Sequence, residues 1–233
     1  MKKKLKLDNV TLISATSSEM DEAQISMRIS LHNIEFGKSK LLCSSPPKQK
    51  YPDIEYISIP PLKSVNDYNR LIFQDLYKYF ETSHCLIVQA DSFVVNAELW
   101  KKEFLDYDYI GGPWPDSIQV NPNLLLNLKK NPVGNGGFSL RSHKLAETTG
   151  KINFDTLNFP MKAEDILICH YLYEKMIAND IKFAPAKLAA QFSIENIDNL
   201  YGQNKNSVFG FHGKHLRDYF IKKYRLRSVI GEW

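Results

Sequence analysis

The sequence predicts an α/β sandwich of Rossmann type, in which a mainly parallel central sheet is flanked by helices. Strand-like and helix-like segments alternate over the first hundred residues, and this order is typical of parallel strands joined by helices. The segment "HCLIVQ" (84–89) is an almost unbroken apolar run, as in a strand buried on both faces of such a sheet. A chain of 233 residues is long enough to bury a substantial core, so we expect one domain over residues 1–233.

The first strand is predicted over the apolar run "VTLISAT" (10–16), which closes on small polar residues. Apolar residues then recur at intervals of four, four and three, which is the spacing of one helix face. These residues are Ala23, Met27, Leu31 and Ile34. The segments "KLLCS" (40–44) and "IEYISIP" (54–60) are short strand candidates separated by a proline-containing turn.

The segment "SVNDYNRLIFQDLYKYF" (64–80) predicts the next helix. Ser64 can cap its N-terminus, and Asp67 lies in the first turn, where the helix dipole favours an acid. One apolar face is formed by Val65, Tyr68, Ile72, Leu76 and Tyr79.

The second half of the chain is less regular. We expect a short helix near Ala97 to Phe104, a strand around "YDYIGG" (107–112), a glycine-rich turn into "FSLRS" (138–142) and a helix over "EDILICHYLYEKMIAND" (164–180). Ligands of parallel α/β sheets bind at the carboxyl ends of the strands. We therefore expect Ala15 to Ser18 and Gln89 to Ser92 to border one crevice.

Composition argues against several classes of protein. The formal net charge is only +4 and forms no dense basic stripe, so we expect no nucleic-acid partner. Three cysteines without metal or disulfide spacing indicate small core residues in a reducing compartment, and the expected location is the cytoplasm. No apolar run reaches the roughly 18 residues of a membrane helix, and the basic start lacks a signal-peptide core.

The C-terminal segment "KHLRDYFIKKYRLRSVIGEW" (214–233) alternates basic with aromatic or aliphatic residues. One interpretation is a helix packed on the domain with its basic residues outward. The other is a segment lying on an anionic membrane surface, which would place the protein at the inner face of a membrane.

The first chemical candidate is Asp91 in "LIVQADSF" (86–93). A carboxylate at the end of a buried strand can bind Mg²⁺ or Mn²⁺ together with a diphosphate, whose oxygens supply further ligands. The alternative is that Asp91 only caps the following turn or helix. Asp-x-Asp is a common two-acid pattern for holding a metal ion, and Gln89 stands at the position of the first acid.

The segment "VGNGGFSLRS" (133–142) predicts a substrate-facing loop. Gly134, Gly136 and Gly137 imply either positive φ or a close approach of the main chain to another group, and Asn135 tolerates left-handed geometry as well. A plain glycine-rich turn is the alternative.

Two adjacent acids, Glu164 and Asp165, open a predicted helix. The helix dipole alone favours acids there. In the functional interpretation one acid faces the crevice as general base while the other holds the loop, and both roles are compatible with a helix N-terminus.

His212 in "FGFHGKHLR" (209–217) is expected at a strand end or in a loop, as a metal ligand, a phosphate contact or a hydrogen-bonded structural residue. Lys214 and Arg217 could neutralise nearby negative charge. A rival metal site is the literal Asp-x-Asp pair of Asp106 and Asp108.

Four segments in this order, "LIVQADSF", "YDYIGGPWP", "VGNGGFSLRS" and "EDILICHYL", resemble a poorly characterised group of bacterial and viral glycosyltransferase-like proteins. That group looks related to nucleotide-sugar transferases of the GT-A type, and the resemblance spans roughly residues 64–212. It implies a GT-A-like fold with a nucleotide-sugar half (about 1–93), an acceptor half (about 94–213) and a basic helix or tail (214–233).

The resemblance also implies residue roles. Asp165, helped by Glu164, would be the catalytic base, and Asp91 with His212 would hold Mn²⁺ or Mg²⁺ on the diphosphate. From their places in the chain we expect the donor to contact Ala15, Thr16, Asn69, Gln89, Ala90, Asp91 and Lys214, and the acceptor sugar to contact Trp114, Asn135, Gly136 and Gly137. Tyr107, Tyr109 and Trp114 could form an aromatic wall on which a sugar ring stacks, and a place in the hydrophobic core explains these aromatic residues equally well.

The expected activity is transfer of a hexosyl or deoxyhexosyl group from a nucleotide-sugar to a glycan or glycolipid hydroxyl, with inversion of the anomeric centre. The alternative from another class is a GT-A-like module that binds a nucleotide or glycan without turnover. A phosphohydrolase that uses Asp106, Asp108 and Asp165 is a third hypothesis.

Overall fold

The structure is a computed structural model that describes residues 3–195, 199–224 and 226. The strands in chain order are β1 (Leu5–Thr16), β2 (Ile34–Cys43), β3 (Glu55–Ser58), β4 (His84–Val88), β5 (Ser92–Val94), β6 (Tyr109–Ile110), β7 (Gly112–Pro113), β8 (Ser117–Asn121), β9 (Leu124–Asn127), β10 (Val133–Gly134), β11 (Phe138–Ser142), β12 (Ser193–Ile194) and β13 (Gly210–His212).

The α-helices are α1 (Met20–Asn33), α2 (Val65–Arg70), α3 (His143–Gly150), α4 (Glu164–Ile166), α5 (Tyr173–Ile177), α6 (Ala186–Phe192) and α7 (Lys214–Lys223). Two of them continue into π-helical turns, over Leu71–Asp75 after α2 and over Leu167–Tyr171 after α4. Shorter 3₁₀ turns cover Leu76–Tyr79, Ala97–Leu99, Lys102–Asp106, Phe154–Thr156 and Leu200–Gly202.

The central sheet has six strands in the order β3-β2-β1-β4-β11-β6. The first four run parallel, whereas β11 is antiparallel to both β4 and β6. Every residue of β4 is buried, because the sheet is covered on both faces at this point. The predicted α/β sandwich with a mainly parallel sheet is therefore confirmed.

A second, smaller sheet in the order β12-β13-β5 packs beside the central one. Helix α1 lies between the two layers. Its Ala23 and Met27 belong to the main core, while Ile25 and Ile29 pack with Phe211 and neighbouring residues of the small sheet and α7. The small sheet is thus fixed against the carboxyl end of β4, where His212 ends β13.

One local prediction, the N-cap of α2, is confirmed and two are wrong. Ser64 caps α2 by accepting a hydrogen bond from the N–H of Asp67. Ile34 is the first residue of β2 and does not belong to the helix, because α1 ends at Asn33. Val65 lies in the first turn of α2 but is 75% exposed, so it is not part of the apolar face.

The C-terminal segment is helical over α7, and its buried residues, Leu216 and Phe220, pack on the domain as the first interpretation expected. Residues 225 and 227–233 of this segment lie outside the described residues. Within the described part of the chain, no helix is long and apolar enough to cross a membrane.

Candidate functional site

A cavity of about 540 Å³ opens at the carboxyl ends of β1 and β4. Its lining residues are Ala15, Thr16, Ser17, Ser18, Glu19, Leu62, Lys63, Ser64, Val65, Tyr68, Gln89, Ala90, Asp91 and Lys214. The expected crevice is therefore present, and it contains all the expected donor residues except Asn69. Ser92, which was expected at the same edge, is buried, and its hydroxyl donates to the carbonyl of Gly137 at 2.7 Å.

Loops from two parts of the chain shape the cavity. The hydroxyl of Thr16 accepts the N–H groups of Ser18 (3.2 Å) and Glu19 (3.1 Å), which folds the chain back at the end of β1. The Ser17 hydroxyl accepts the N–H of Leu62 at 2.9 Å. These hydrogen bonds hold the start of α2 across from the end of β4.

Both the nitrogen and the oxygen of the Gln89 side-chain amide have a hydrogen-bond partner. Its Nε2 donates to the hydroxyl of Tyr68 at 2.7 Å, and its Oε1 lies 3.1 Å from Nε2 of His212. The residue that replaces the first acid of the Asp-x-Asp pattern thus presents its carbonyl oxygen towards His212, although it carries no charge.

His212 is surrounded by oxygen atoms. Its Nδ1 lies 2.9 Å from Oε1 of Glu195, and its Nε2 lies 3.4 Å from Oδ1 of Asp91. Burial lowers the pKa of His212, but the hydrogen bonds and charges of Asp91 and Glu195 raise it more strongly, to about 10. The imidazole is therefore positively charged at neutral pH when no metal is bound.

Asp91 is ionised in the same arrangement. Burial raises its pKa, but the hydrogen bond and the charge of His212 lower it, so that the net shift is downward. The main-chain carbonyl of Asp91 accepts the N–H of Gly213 at 3.2 Å, which ties the end of β4 to the start of α7.

The donor atoms of Asp91, His212 and Gln89 fit a hard divalent cation. Nε2 of His212 lies 3.1 and 3.4 Å from the two oxygens, close to the ~3 Å between adjacent ligands of an octahedral ion with bonds of about 2.1 Å. An ion here would have to displace the proton on Nε2. Among the described residues no group of three or more His, Cys, Asp or Glu side chains could hold a metal ion.

Lys214 extends from the first turn of α7 into the mouth of the cavity. It pairs with Glu19 at 3.1 Å, and both side chains are largely exposed. An exposed pair of this kind is weak, so Glu19 does not hold Lys214 firmly.

The other side of the site is organised around Gly136. Its N–H donates to Oδ2 of Asp165 at 2.9 Å, and the N–H of Ile166 donates to Oδ1 at 2.8 Å. Asp165 is half-buried. Burial raises its pKa more strongly than the hydrogen bond from Gly136 lowers it.

Glu164 points away from Asp165 into the core, where it meets Arg141 of β11. Nη2 of Arg141 lies 2.7 Å from Oε2 of Glu164, and the two side chains are only 1% and 4% exposed. Nε of Arg141 donates to Ser139, whose hydroxyl donates in turn to the carbonyl of Gly136. Burial raises the pKa of Glu164, and the guanidinium of Arg141 opposes this shift.

The glycines of the 134–137 loop are required by close contacts and not by positive φ. Only Asn135 has a left-handed conformation in this loop, with φ 66°. A Cβ on Gly136 would lie 1.9 Å from Oε1 of Glu164, and one on Gly137 would lie 2.2 Å from Nε2 of His212. The loop therefore fits between the two polar clusters because it has no side chains there.

Two of the aromatic residues expected to form an acceptor wall are buried in the core. Trp114 is 3% exposed and Tyr109 is fully buried, so both are core residues and not a sugar platform. A Cβ on Gly134 would collide with the Trp114 ring at 1.9 Å, which explains that glycine. Asn135 is also buried, and its Nδ2 contacts the hydroxyl of Ser193 at 3.4 Å.

Asn69, which was expected among the donor contacts, is buried and does not line this cavity. Its Oδ1 accepts the N–H of Glu164 at 3.4 Å, so it contacts the start of α4. In the rival Asp-x-Asp pair, the carboxylate of Asp108 accepts the Ser142 hydroxyl and the N–H of Lys182, which gives it a structural role.

Two important residues were not identified as site residues from the sequence. Arg141 carries a visible signal, since a cation within the apolar strand "FSLRS" requires a buried partner. Glu195 follows a two-residue strand and stands beside His212 only through sheet pairing, so nothing local in the sequence marks it.

Comparison with solved structures shows the class of fold. Two crystal structures of the glycosyltransferase GlyE from Streptococcus pneumoniae TIGR4 have TM-scores of 0.54 and 0.51 at 11% identity. Each alignment covers 98% of this chain and 62% of that one, so the chain spans less than two thirds of GlyE. A glycosyltransferase involved in glycosylation of the major capsid of PBCV-1 is similar at 12% identity, with a TM-score of 0.48 and coverage of 92% and 98%.

The fold is thus the GT-A-like fold that the resemblance implied. Residues 52–212 match the family described as "Protein of unknown function (DUF5672)", and the chain belongs to that family. No curated protein matches the sequence.

The buried Arg141–Glu164 pair generates a stability prediction. Replacing Arg141 by Met leaves the Glu164 carboxylate buried without a partner, and we expect a loss of about 3–5 kcal/mol in the free energy of unfolding. Adding Glu164→Gln removes the unpaired charge and should restore part of that loss. Urea unfolding followed by circular dichroism measures both variants.

The matched control is Arg70→Met, which breaks the exposed pair between Arg70 and Asp155. We expect that change to cost about 0–1 kcal/mol. Equal effects of the two Arg substitutions, or additive effects of Arg141→Met and Glu164→Gln, would contradict the role assigned to the buried pair.

Proposed function

We propose that the protein is a glycosyltransferase that moves a hexosyl or deoxyhexosyl group from a nucleotide-sugar to a hydroxyl of a glycan or glycolipid acceptor. One observation carries the proposal. The 134–137 loop lies between the imidazolium of His212 and the half-buried carboxylate of Asp165. A site for the leaving group and a base would therefore be adjacent. In this proposal the donor half covers about 1–93 and the acceptor half about 94–213.

The cavity supplies the donor site. Ala15, Thr16, Gln89 and Ala90 line it at the ends of two parallel strands, the position where α/β sheets bind ligands. The nucleotide would lie against these residues with its diphosphate directed towards Lys214.

Departure of the nucleoside diphosphate requires stabilisation of negative charge. Lys214 at the cavity mouth and the imidazolium of His212 beside Asp91 would supply positive charge. Mn²⁺ or Mg²⁺, held by Asp91, His212 and the Gln89 carbonyl, would act as a Lewis acid on the diphosphate when bound. The uncharged Gln89 weakens the protein's hold on such an ion, because only one carboxylate faces it.

Asp165 suits the role of general base. Burial makes its carboxylate more basic, and the N–H groups of Gly136 and Ile166 fix its orientation. Glu164 supports it indirectly by anchoring the start of α4 to Arg141. Attack of an acceptor hydroxyl activated by Asp165, from the face opposite the leaving group, inverts the anomeric centre.

A second candidate function is supported by Gln89, the departure from the two-acid pattern. The same cavity would then bind a nucleotide or glycan without turnover. Titration of UDP, GDP and dTDP with and without Mn²⁺, together with a donor-hydrolysis screen over nucleotide-sugars, separates the two functions. Binding without hydrolysis or transfer favours the module.

Asp165→Asn tests the base. The amide keeps the size of the side chain and loses its basicity, so we expect transfer to fall roughly 10²–10⁴-fold while nucleoside diphosphate affinity stays unchanged. Product analysis should give the inverted anomer with the wild-type protein. Retained configuration, or a variant that loses fold and donor binding together, argues against this role for Asp165.

Asp91→Asn tests the diphosphate site. Loss of the carboxylate should lower transfer and weaken any Mn²⁺-dependent gain in nucleoside diphosphate affinity, measured by calorimetry. Asp108→Asn is the control, because the Asp108 carboxylate belongs to the rival pair and accepts hydrogen bonds from the Ser142 hydroxyl and the N–H of Lys182. Full activity of Asp91→Asn without added metal would make the end of β4 purely structural.

A further inference from the structure

We propose that Glu195 is a positioning residue that fixes the ring of His212, so that Nε2 is presented to the diphosphate or its metal ion. This inference rests on the proposed function of the same site. Oε1 of Glu195 lies 2.9 Å from Nδ1 of His212, so Glu195 acts on the site through this ring.

Sheet pairing places the two residues side by side. In the parallel pair of β12 with β13, Ser193 lies opposite Gly210 and Ile194 opposite Phe211. The next step of this register brings Glu195 level with His212. The carbonyl of Ser193 accepts the side-chain amide of Gln203 at 2.8 Å, which anchors the start of β12.

The contact itself is directional. Oε1 of Glu195 lies 2.9 Å from Nδ1 of His212, and the two side chains are 28% and 21% exposed. Because Glu195 occupies Nδ1, the opposite nitrogen Nε2 is left to face Asp91 and Gln89. The ring is closely approached by the backbone at Gly137, where a Cβ would be 2.2 Å from Nε2. Rotation of the ring is therefore opposed by both the carboxylate and the loop.

A carboxylate on the distal nitrogen of a functional histidine has a general effect. It selects the tautomer, orients the ring and makes the other nitrogen a stronger donor of electrons to a metal. The same orientation aims an Nε2–H group at a phosphate oxygen when no metal is present. Glu195 thus serves either form of the leaving-group site.

The experiment compares Glu195→Ala and Glu195→Gln with the wild type. Glu174→Gln is the matched control, since Glu174 forms an exposed ion pair with Lys130 and neither residue lines the cavity. The probes are Mn²⁺ alone and UDP, GDP and dTDP, titrated by calorimetry. The ring nitrogens of His212 are observed by ¹⁵N NMR, with His212→Gln used for assignment.

We expect Glu195→Ala to weaken Mn²⁺ or nucleoside diphosphate binding about 10–100-fold and to shift the Nδ1 signal of His212. Glu195→Gln, which retains a hydrogen-bonding side chain of the same length, should recover part of the binding, and Glu174→Gln should change neither readout. Unchanged binding and unchanged ring signals in Glu195→Ala would overturn the proposal.

The two proposals fail in distinguishable ways. If the wild type binds neither Mn²⁺ nor any of the three nucleotides, the proposed function fails. The His212 ring signals still decide the role of Glu195 in that case, because a shift in Glu195→Ala supports ring positioning and no shift refutes it.

Discussion

The buried ion pair between Arg141 and Glu164 is the constraint on which the site depends. It joins β11 of the central sheet to the first residue of α4, and its two charges are almost completely removed from water. A buried charge of this kind is tolerated only with a partner, so the strand and the helix start are held at one relative position. Arg141 also reaches the Gly136 carbonyl through Ser139, so the same interaction sets the loop that contacts Asp165.

His212 is the corresponding junction on the side of the proposed donor site. It brings together the end of β4, the end of β13 and the residue after β12, which are far apart in the sequence. Ser92 links this cluster to the 134–137 loop through the carbonyl of Gly137. The two halves of the proposed site are therefore connected by short hydrogen bonds across β4 and the 134–137 loop.

The elements that follow from local pattern were predictable, and so was the position of the crevice. Apolar runs and the Ser64 cap locate β1, β4 and α2, and the strand-end rule then places Ala15 and Asp91 at one cavity. Sequence reasoning failed where a side chain's environment is decided by distant residues. Trp114 was expected at the surface but is buried against Gly134, and Glu195 meets His212 only because β12 pairs with β13.

Gln89 has a consequence for how easily this site can change its chemistry. Its amide lies between the hydroxyl of Tyr68 and Nε2 of His212. Under the proposed function, Gln89→Asp would add a second carboxylate at this strand end and would remove the hydrogen bond that Gln89 donates to Tyr68. Residue 89 is therefore a position where one substitution would change the negative charge offered to a divalent ion.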